Sequence, residues 1–211
     1  MKKILKSKYN TGFTLIELLV TIVIFVILTG VVLFNQSGFD NTVLLNNLTY
    51  DIALTIRQAQ TFGVNTRESA SSTSISGYVF PPYGIFLNID NANGGNNKNI
   101  ILFSDTTPDS KFNNDPSLSC PANDAECVQK YSIKRGSYIK QICVPSGTGE
   151  ECDNVKKITI MFKRPKPDAL IYGGNDKITP LGQARIIISS ADGSAESSVV
   201  VTNIGQIYVQ K

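Results

Sequence analysis

The sequence predicts an α+β fold, in which one long N-terminal α-helix packs on antiparallel β-sheet. Three observations carry that prediction. An apolar run of 22 residues, Phe13 to Phe34, holds a single charge, Glu17. A stripe of apolar residues at helical spacing follows it. From residue 65 onward the chain changes to short apolar runs broken by Gly, Asn, Asp and Pro. One helix followed by a series of strands is the pattern of an α+β domain.

The apolar run comes first. At about 1.5 Å per residue it rises roughly 33 Å as a helix, enough to cross a hydrocarbon layer about 30 Å thick. A charge inside that layer costs roughly 2.5–3.5 kcal/mol on insertion scales, so Glu17 is a candidate functional residue. Lys2, Lys3, Lys6 and Lys8 precede the run. By the positive-inside rule they hold the N-terminus in the cytoplasm, and the bulk of the chain is then exported. Gly30 and the tract Asn35-Gln36-Ser37-Gly38 are the places where the helix is expected to loosen. The pattern then resumes with Leu44, Leu48, Ile52, Ile56 and Ala59, flanked by Leu45 and Phe62. Asn47, Asp51, Thr55 and Gln58 take the other face. This is an amphipathic helix whose stripe packs on a sheet, and Gly63 is its expected C-cap.

Strand signals follow. Tyr83–Ile89 and Ile100–Ser104 flank a Gly/Asn-rich loop from Asn91 to Asn99, which reads as a hairpin. Further strands are expected at Tyr131–Lys134, Ile139–Val144, Lys157–Phe162, Ala184–Ser189, Val199–Thr202 and Ile204–Val209. Ala191-Asp192-Gly193 marks a hairpin turn. Ser69 to Ser76 reads as a linker.

Composition narrows the function classes. Hydrophobic residues make up 42% and charged residues 18%, so the chain can bury a core. The formal charge of +3 comes from the N-terminal lysines. Without those four, 16 basic side chains face 17 acidic ones, formally −1, so no global basic excess attracts nucleic acid or anionic lipid. The four cysteines, Cys120, Cys127, Cys143 and Cys152, all lie in the expected exported part, where an even count suggests disulfides. Three connectivities are possible, and the local pairs Cys120–Cys127 and Cys143–Cys152 are favoured because each closes a short polar loop. Zinc is disfavoured, since the chain has no histidine and no C-x2-C pair. The Asp90–Asn99 loop lacks EF-hand spacing and a closing Glu, as does the loop bearing Asp105, Asp109 and Asp115. No metal or cofactor is expected. Nor is an enzyme, because there is no His base, no Gly-x-Ser-x-Gly and no phosphate-cradling loop.

A secretory signal is cut after its apolar core. Here the natural cut lies before it, at Gly12/Phe13. The sequence from the basic leader through Gly12-Phe13-Thr14-Leu15-Ile16-Glu17 and the apolar run resembles the type IV pilin and pseudopilin superfamily. The resemblance implies an inner-membrane prepilin peptidase that cuts after Gly12 and N-methylates Phe13. It also implies that Glu17 serves filament assembly with other pilins or pseudopilins through the N-terminal helix. The domains are then 1–12 leader, 13–35 transmembrane and filament-core helix, 36–64 amphipathic helix, and 65–211 exported β-rich head. The chemistry of assembly follows from the charges. After cleavage the Phe13 amine is a cation with a reference pKa of about 7.7–8.0. Pairing it with the Glu17 carboxylate of a neighbouring subunit offsets the cost of two isolated charges in hydrocarbon and sets an axial register.

Leu54 to Val64, Tyr83-Gly84-Ile85-Phe86-Leu87, Ile101 to Asp105 and Val201 to Val209 are similar to the minor (pseudo)pilin group that includes the GspH and FimT proteins. That resemblance implies a long helix against two β-sheets, and a minor subunit of a type IV pilus or a type II secretion pseudopilus. It also implies that the chain is anchored in the inner membrane by a single span before assembly. Some of that group bind DNA through a C-terminal Gly-Arg-x-Arg. The matching positions here are Gly205, Gln206, Ile207 and Tyr208, so both arginines are missing. Lys163, Arg164 and Lys166 are the candidate DNA-binding residues that remain, and a set of solvated lysines is the competing reading.

Overall fold

The computed structural model describes residues 12–65, 80–90, 95–106, 112, 120, 126–147, 149–174 and 181–210, with the backbone alone over 34–40. The leader before Gly12, the Ser69–Ser76 linker, the tip of the Asn91–Asn99 loop, Asp109 and Asp115 lie outside the described residues. The chain divides into two compact units between Asp40 and Asn41.

Helix α1 runs from Leu15 to Val64, 50 residues, without a break at Gly30 or Gly38. The expected loosening is not seen. A glycine inside a helix costs about 1 kcal/mol relative to alanine, too little to interrupt a helix of this length. In the first unit, α1 is apolar on all sides over Leu15–Leu33 apart from Glu17, Thr21 and Thr29, and none of it is buried.

Among its described residues the second unit contains the last part of α1 and ten strands. They are β1 Tyr83–Asn88, β2 Asn99–Ser104, β3 Cys127–Ser132, β4 Tyr138–Ser146, β5 Gly149–Glu151, β6 Lys157–Phe162, β7 Ala169–Gly173, β8 Gln183–Ser189, β9 Glu196–Thr202 and β10 Ile207–Gln210. They form two five-stranded antiparallel sheets, ordered β3-β2-β1-β6-β7 and β10-β9-β8-β4-β5. The fold is α+β, an N-terminal helix followed by antiparallel sheets. Two strands go beyond the sequence reading. β5 is a three-residue polar arm with no apolar signal, and β7 directly follows the turn-forming Pro165 and Pro167. β3 begins four residues ahead of the expected Tyr131. β10 starts at Ile207 rather than Ile204, because Gly205, at φ 80°, takes the preceding residues into a turn.

One core joins the helix to both sheets. In the first sheet Leu102, Ile85, Ile160 and Ile171 lie in one cross-strand row. In the second, Ile142, Ile186, Val199 and Val209 form the matching row. The buried line of α1 is Leu45, Thr49, Ile52, Ile56, Ala59 and Gly63, spaced alternately four and three residues apart. Ile52, Ile56 and Ala59 of the expected stripe lie on it, whereas Leu44 and Leu48 are only half-buried and Leu45 and Thr49 take their places. Thr49 is tolerated inside because its hydroxyl donates to the Leu45 carbonyl, 2.8 Å away. Gly63 is not a left-handed C-cap. It lies within the last turn, where a Cβ would fall 2.3 Å from the Phe162 carbonyl oxygen, so it is the point of closest approach between helix and sheet.

The central strands of the first sheet are buried on both faces, which explains the apolar run Ile100–Phe103 and the run Ile158–Phe162, broken only by Thr159. Phe112 covers its outer side, its ring 5.3 Å from Phe86 and 5.4 Å from Phe103. Polar clamps then tie α1 to the turns. Asn41 donates to Asp192 at 2.9 Å, and Arg57 donates to the Ile207 carbonyl at 2.9 Å. The Gln60 amide donates to the carbonyls of both Pro167 and Gly205.

Gly205 has no room for a side chain, because a Cβ there would lie 2.1 Å from the Pro167 oxygen. Gly205→Ala is expected to cost at least about 1–2 kcal/mol, read as a lower urea midpoint at unchanged slope. The Asp192 carboxylate accepts from the Ser190 hydroxyl and from the Ser194 hydroxyl and amide, and these bonds hold its pKa well below the usual carboxylate range. A depressed folded-state pKa contributes stability that is present above the unfolded value and is lost as pH falls through the folded one. Asp192→Asn is therefore expected to destabilise the chain at neutral pH, with the gap to wild type closing in acid. Denaturant midpoints across an acid series check this.

Candidate functional site

The candidate site begins where α1 begins. Gly12, Phe13 and Thr14 precede the helix, and nothing lies within 4 Å of the position a Gly12 Cβ would take. Phe13 is 82% exposed. The Thr14 hydroxyl accepts from the Glu17 amide at 3.3 Å, and the Thr14 carbonyl accepts from the Leu18 amide at 3.2 Å. Thr14 is thus the N-cap, and Glu17 is the third helical residue. Thr14-Leu15-Ile16-Glu17 has the spacing of a capping box, a signal present in the sequence that the reading above did not use. The helix dipole places partial positive charge at this end, where a carboxylate is favoured. Glu17 makes no ion pair among the described residues.

The other polar side chains of the run are internally satisfied. Thr21 donates to the Leu18 carbonyl at 2.8 Å and Thr29 to the Phe25 carbonyl at 2.7 Å. Such bonds need no water, which suits a helix in hydrocarbon. Leu15–Leu33 is long and apolar enough to cross a membrane. At about 1.5 Å per residue its 19 residues rise roughly 28 Å.

In the second unit the cysteines pair as Cys120–Cys127 and Cys143–Cys152, with Cα separations of 5.7 and 4.1 Å. The first bridge ties residue 120 to the start of β3 beside the Phe112 cluster. The second closes the base of the β4–β5 hairpin. The Asp90 loop is closed by its own groups: Asn88 Oδ1 accepts from the Asp90 amide, and the Asp90 carbonyl accepts from the Gly95 amide. Asp105 is buried at the end of β2, where its amide donates to the Pro82 carbonyl.

Lys163, Arg164 and Lys166 lie in the β6–β7 turn. Gln60 bridges that turn to Gly205, so the three basic residues sit beside the position of the missing Gly-Arg-x-Arg. The Arg164 guanidinium lies over the Phe80 ring, 4.8 Å from its centroid, and donates to the Phe80 carbonyl. Lys163 and Lys166 are exposed, with Asp168 exposed in the same turn. Gln206 and Tyr208, which stand at the arginine positions, are exposed as well.

Comparison with known proteins finds a family match on the N-terminal segment. The family described as the prokaryotic N-terminal methylation motif matches residues 7–33. That match supports a type IV pilin-like protein, and with the apolar helix it is consistent with anchoring in a membrane through the N-terminus. No curated protein and no solved structure matches the chain.

Removing the N-cap tests the local geometry. Thr14→Ala is expected to destabilise the first turn by about 1 kcal/mol. Faster amide exchange at Glu17 and Leu18 than in wild type, with exchange in the sheets unchanged, is the expected result.

Proposed function

We propose that the chain is a minor pilin or pseudopilin, a structural subunit that assembles into or initiates a type IV pilus or a type II secretion pseudopilus. A prepilin peptidase cuts between Gly12 and Phe13 and N-methylates Phe13, leaving α1 on the mature chain. The protein waits in the inner membrane as a single-pass subunit with its β-rich head exported. It then joins other pilins through the apolar half of α1. It is a structural subunit and not an enzyme.

The observation that carries this reading is the placement of Glu17. It is the sole charge in a helix segment otherwise apolar on every side, one turn from the proposed new N-terminus. The threonines of that segment satisfy their own hydroxyls, so Glu17 alone retains a demand for an outside partner. The methylammonium of a neighbouring Phe13 meets that demand, and any other stagger leaves two charges in hydrocarbon. DNA binding in DNA uptake, the alternative, gains little. It rests on Lys163 and Lys166, with Arg164 held against Phe80.

Glu17→Val is expected to leave insertion and cleavage intact and to reduce incorporation into filaments by at least about tenfold. Mass spectrometry of the mature chain, which should begin at N-methyl-Phe13, reports processing. Immunoblots of sheared filaments report assembly. Normal incorporation of the variant would overturn the assigned role of Glu17, and a mature chain beginning elsewhere would overturn the assigned cut.

A further inference from the structure

The turn that leads from β3 into β4 carries a backbone irregularity. Arg135 is held at φ 60° and Gly136 at φ 81°. Arg135 is the one non-glycine residue at positive φ among the described residues. Glycine or asparagine takes such a position at little cost, so a long cation held there points to a use for its charge. Lys134, Arg135 and Gly136 are all exposed, and neither cation has an ion-pair partner among the described residues. Lys98, whose carbonyl accepts from the Ile133 amide, adds a third exposed cation. The carboxylates on this side are engaged. Asp51, which lines the same cleft as Lys134 and Arg135, accepts from Tyr131. Asp192 follows Ala191, which lies against Gly136, and accepts from Asn41, Ser190 and Ser194. Glu196 pairs with Lys140.

The β4–β5 arm carries the opposite charge. Glu150, Glu151 and Asp153 line an open pocket of about 300 Å³, and no basic residue lines it. Glu150 pairs with Arg185 of β8. Glu151 and Asp153 have no ion-pair partner among the described residues. Glu151 accepts from Asn154 at 2.8 Å and Asp153 from Gln141 at 3.4 Å. β5 is the outer strand of its sheet and contributes no apolar side chain to the core, so its sequence is free to serve a contact. The two features lie apart along β4. The basic turn precedes Tyr138, the first residue of the strand, and Glu151 stands opposite Val144. Val144 is six residues beyond Tyr138, about 20 Å of strand. That separation exceeds the combined reach of a lysine and a glutamate, so one copy cannot pair Lys134 with Glu151, whereas two copies can.

We propose that the basic turn of one head docks against the β4–β5 arm of a second copy, with Lys134 and Arg135 pairing to Glu151 and Asp153. The contact is heterologous. Each copy offers one half and keeps the other half free, so it repeats in one direction, as a filament requires. An exposed ion pair is worth at most about fivefold in affinity. Two of them hold heads together only where the copies are already concentrated, and confinement to one membrane supplies that concentration. The proposal rests on the reading of Leu15–Leu33 as a membrane anchor for this confinement, and not on the role of Glu17.

The test uses the full chain in proteoliposomes, as an equal mixture of unlabelled and nitrogen-15-labelled protein. A water-soluble carbodiimide joins a lysine ammonium to a carboxylate in contact with it, with loss of water. The isotope pattern of the linked peptides separates links between copies from links within one. The expected result is a mixed-isotope link from Lys134 to Glu151 or Asp153, reduced at least about fivefold by Arg135→Glu. Two reversed chains give the rescue: Lys134→Glu with Arg135→Glu, and Glu151→Lys with Asp153→Lys. Neither links these positions alone, and links between them return when the two chains are mixed. Unchanged exchange of the sheet amides shows that each variant is folded. Links of single-isotope pattern only, a yield undiminished by Arg135→Glu, or no links in the mixture of reversed chains each overturn the proposal. The links are expected in Glu17→Val as well, so loss of the head contact and loss of the Glu17 role are told apart. A chain that fails to float with the liposomes removes the anchoring reading and the proposal together.

Discussion

The fold depends on the burial of one narrow helical line, Leu45 to Gly63, in a core that two sheets share. Neither sheet closes that core alone. The row through Ile85 and the row through Ile186 each offer aliphatic side chains, and Ile52, Ile56 and Ala59, with essentially no exposed surface, complete it. The line tapers toward its end, from leucine and isoleucine to alanine and then glycine. That taper lets the helix come down onto β6, where the backbone of Phe162 leaves no room for even a methyl group at residue 63.

Much of this was legible in the sequence, for identifiable reasons. The helix is long and strongly periodic, and its two halves differ in whether the apolar residues surround it or form a stripe. Strands such as Lys157–Phe162 and Ala184–Ser189 are apolar runs bounded by polar turns. What escaped notice depends on tertiary contact. Ile52, Ile56 and Ala59 are buried as the stripe predicts, but its start is one position off because Leu44 and Leu45 are equally apolar in sequence, and only the angle of docking chooses between them. β5 holds no hydrophobic residue and exists because the Cys143–Cys152 hairpin pairs it with β4. Gly63 looks like a helix terminator in sequence, yet its lack of a side chain serves close packing. At the candidate site, Glu17 was legible from charge alone, whereas its place as the third helical residue needed the Thr14 cap to be recognised.

The two units satisfy their polar groups in related ways. In the head, polar backbone is satisfied by sheet pairing, and buried hydroxyls such as Thr49 turn back to the helix. Along Leu15–Leu33 the same device recurs at Thr21 and Thr29, while the side chains around them stay apolar and outward-facing. A helix built in this way has no internal reason to prefer one side over another. Its one charged side chain is Glu17, the group that the proposed assembly uses to set orientation and register.

The polar clamps along the second half of α1 also bear on mechanical strength. Asn41 ties the helix to the β8–β9 turn at its entry, Arg57 ties it to β10, and Gln60 ties it to two turns near its end. A pull transmitted along the chain at Asn41 therefore loads these bonds and the apolar line in parallel, as shear, instead of peeling them one at a time. Extraction of the helix from the head would require all of them to yield in a single event, whereas a force applied at the other end, beyond Val64, would open the Gln60 clamp first.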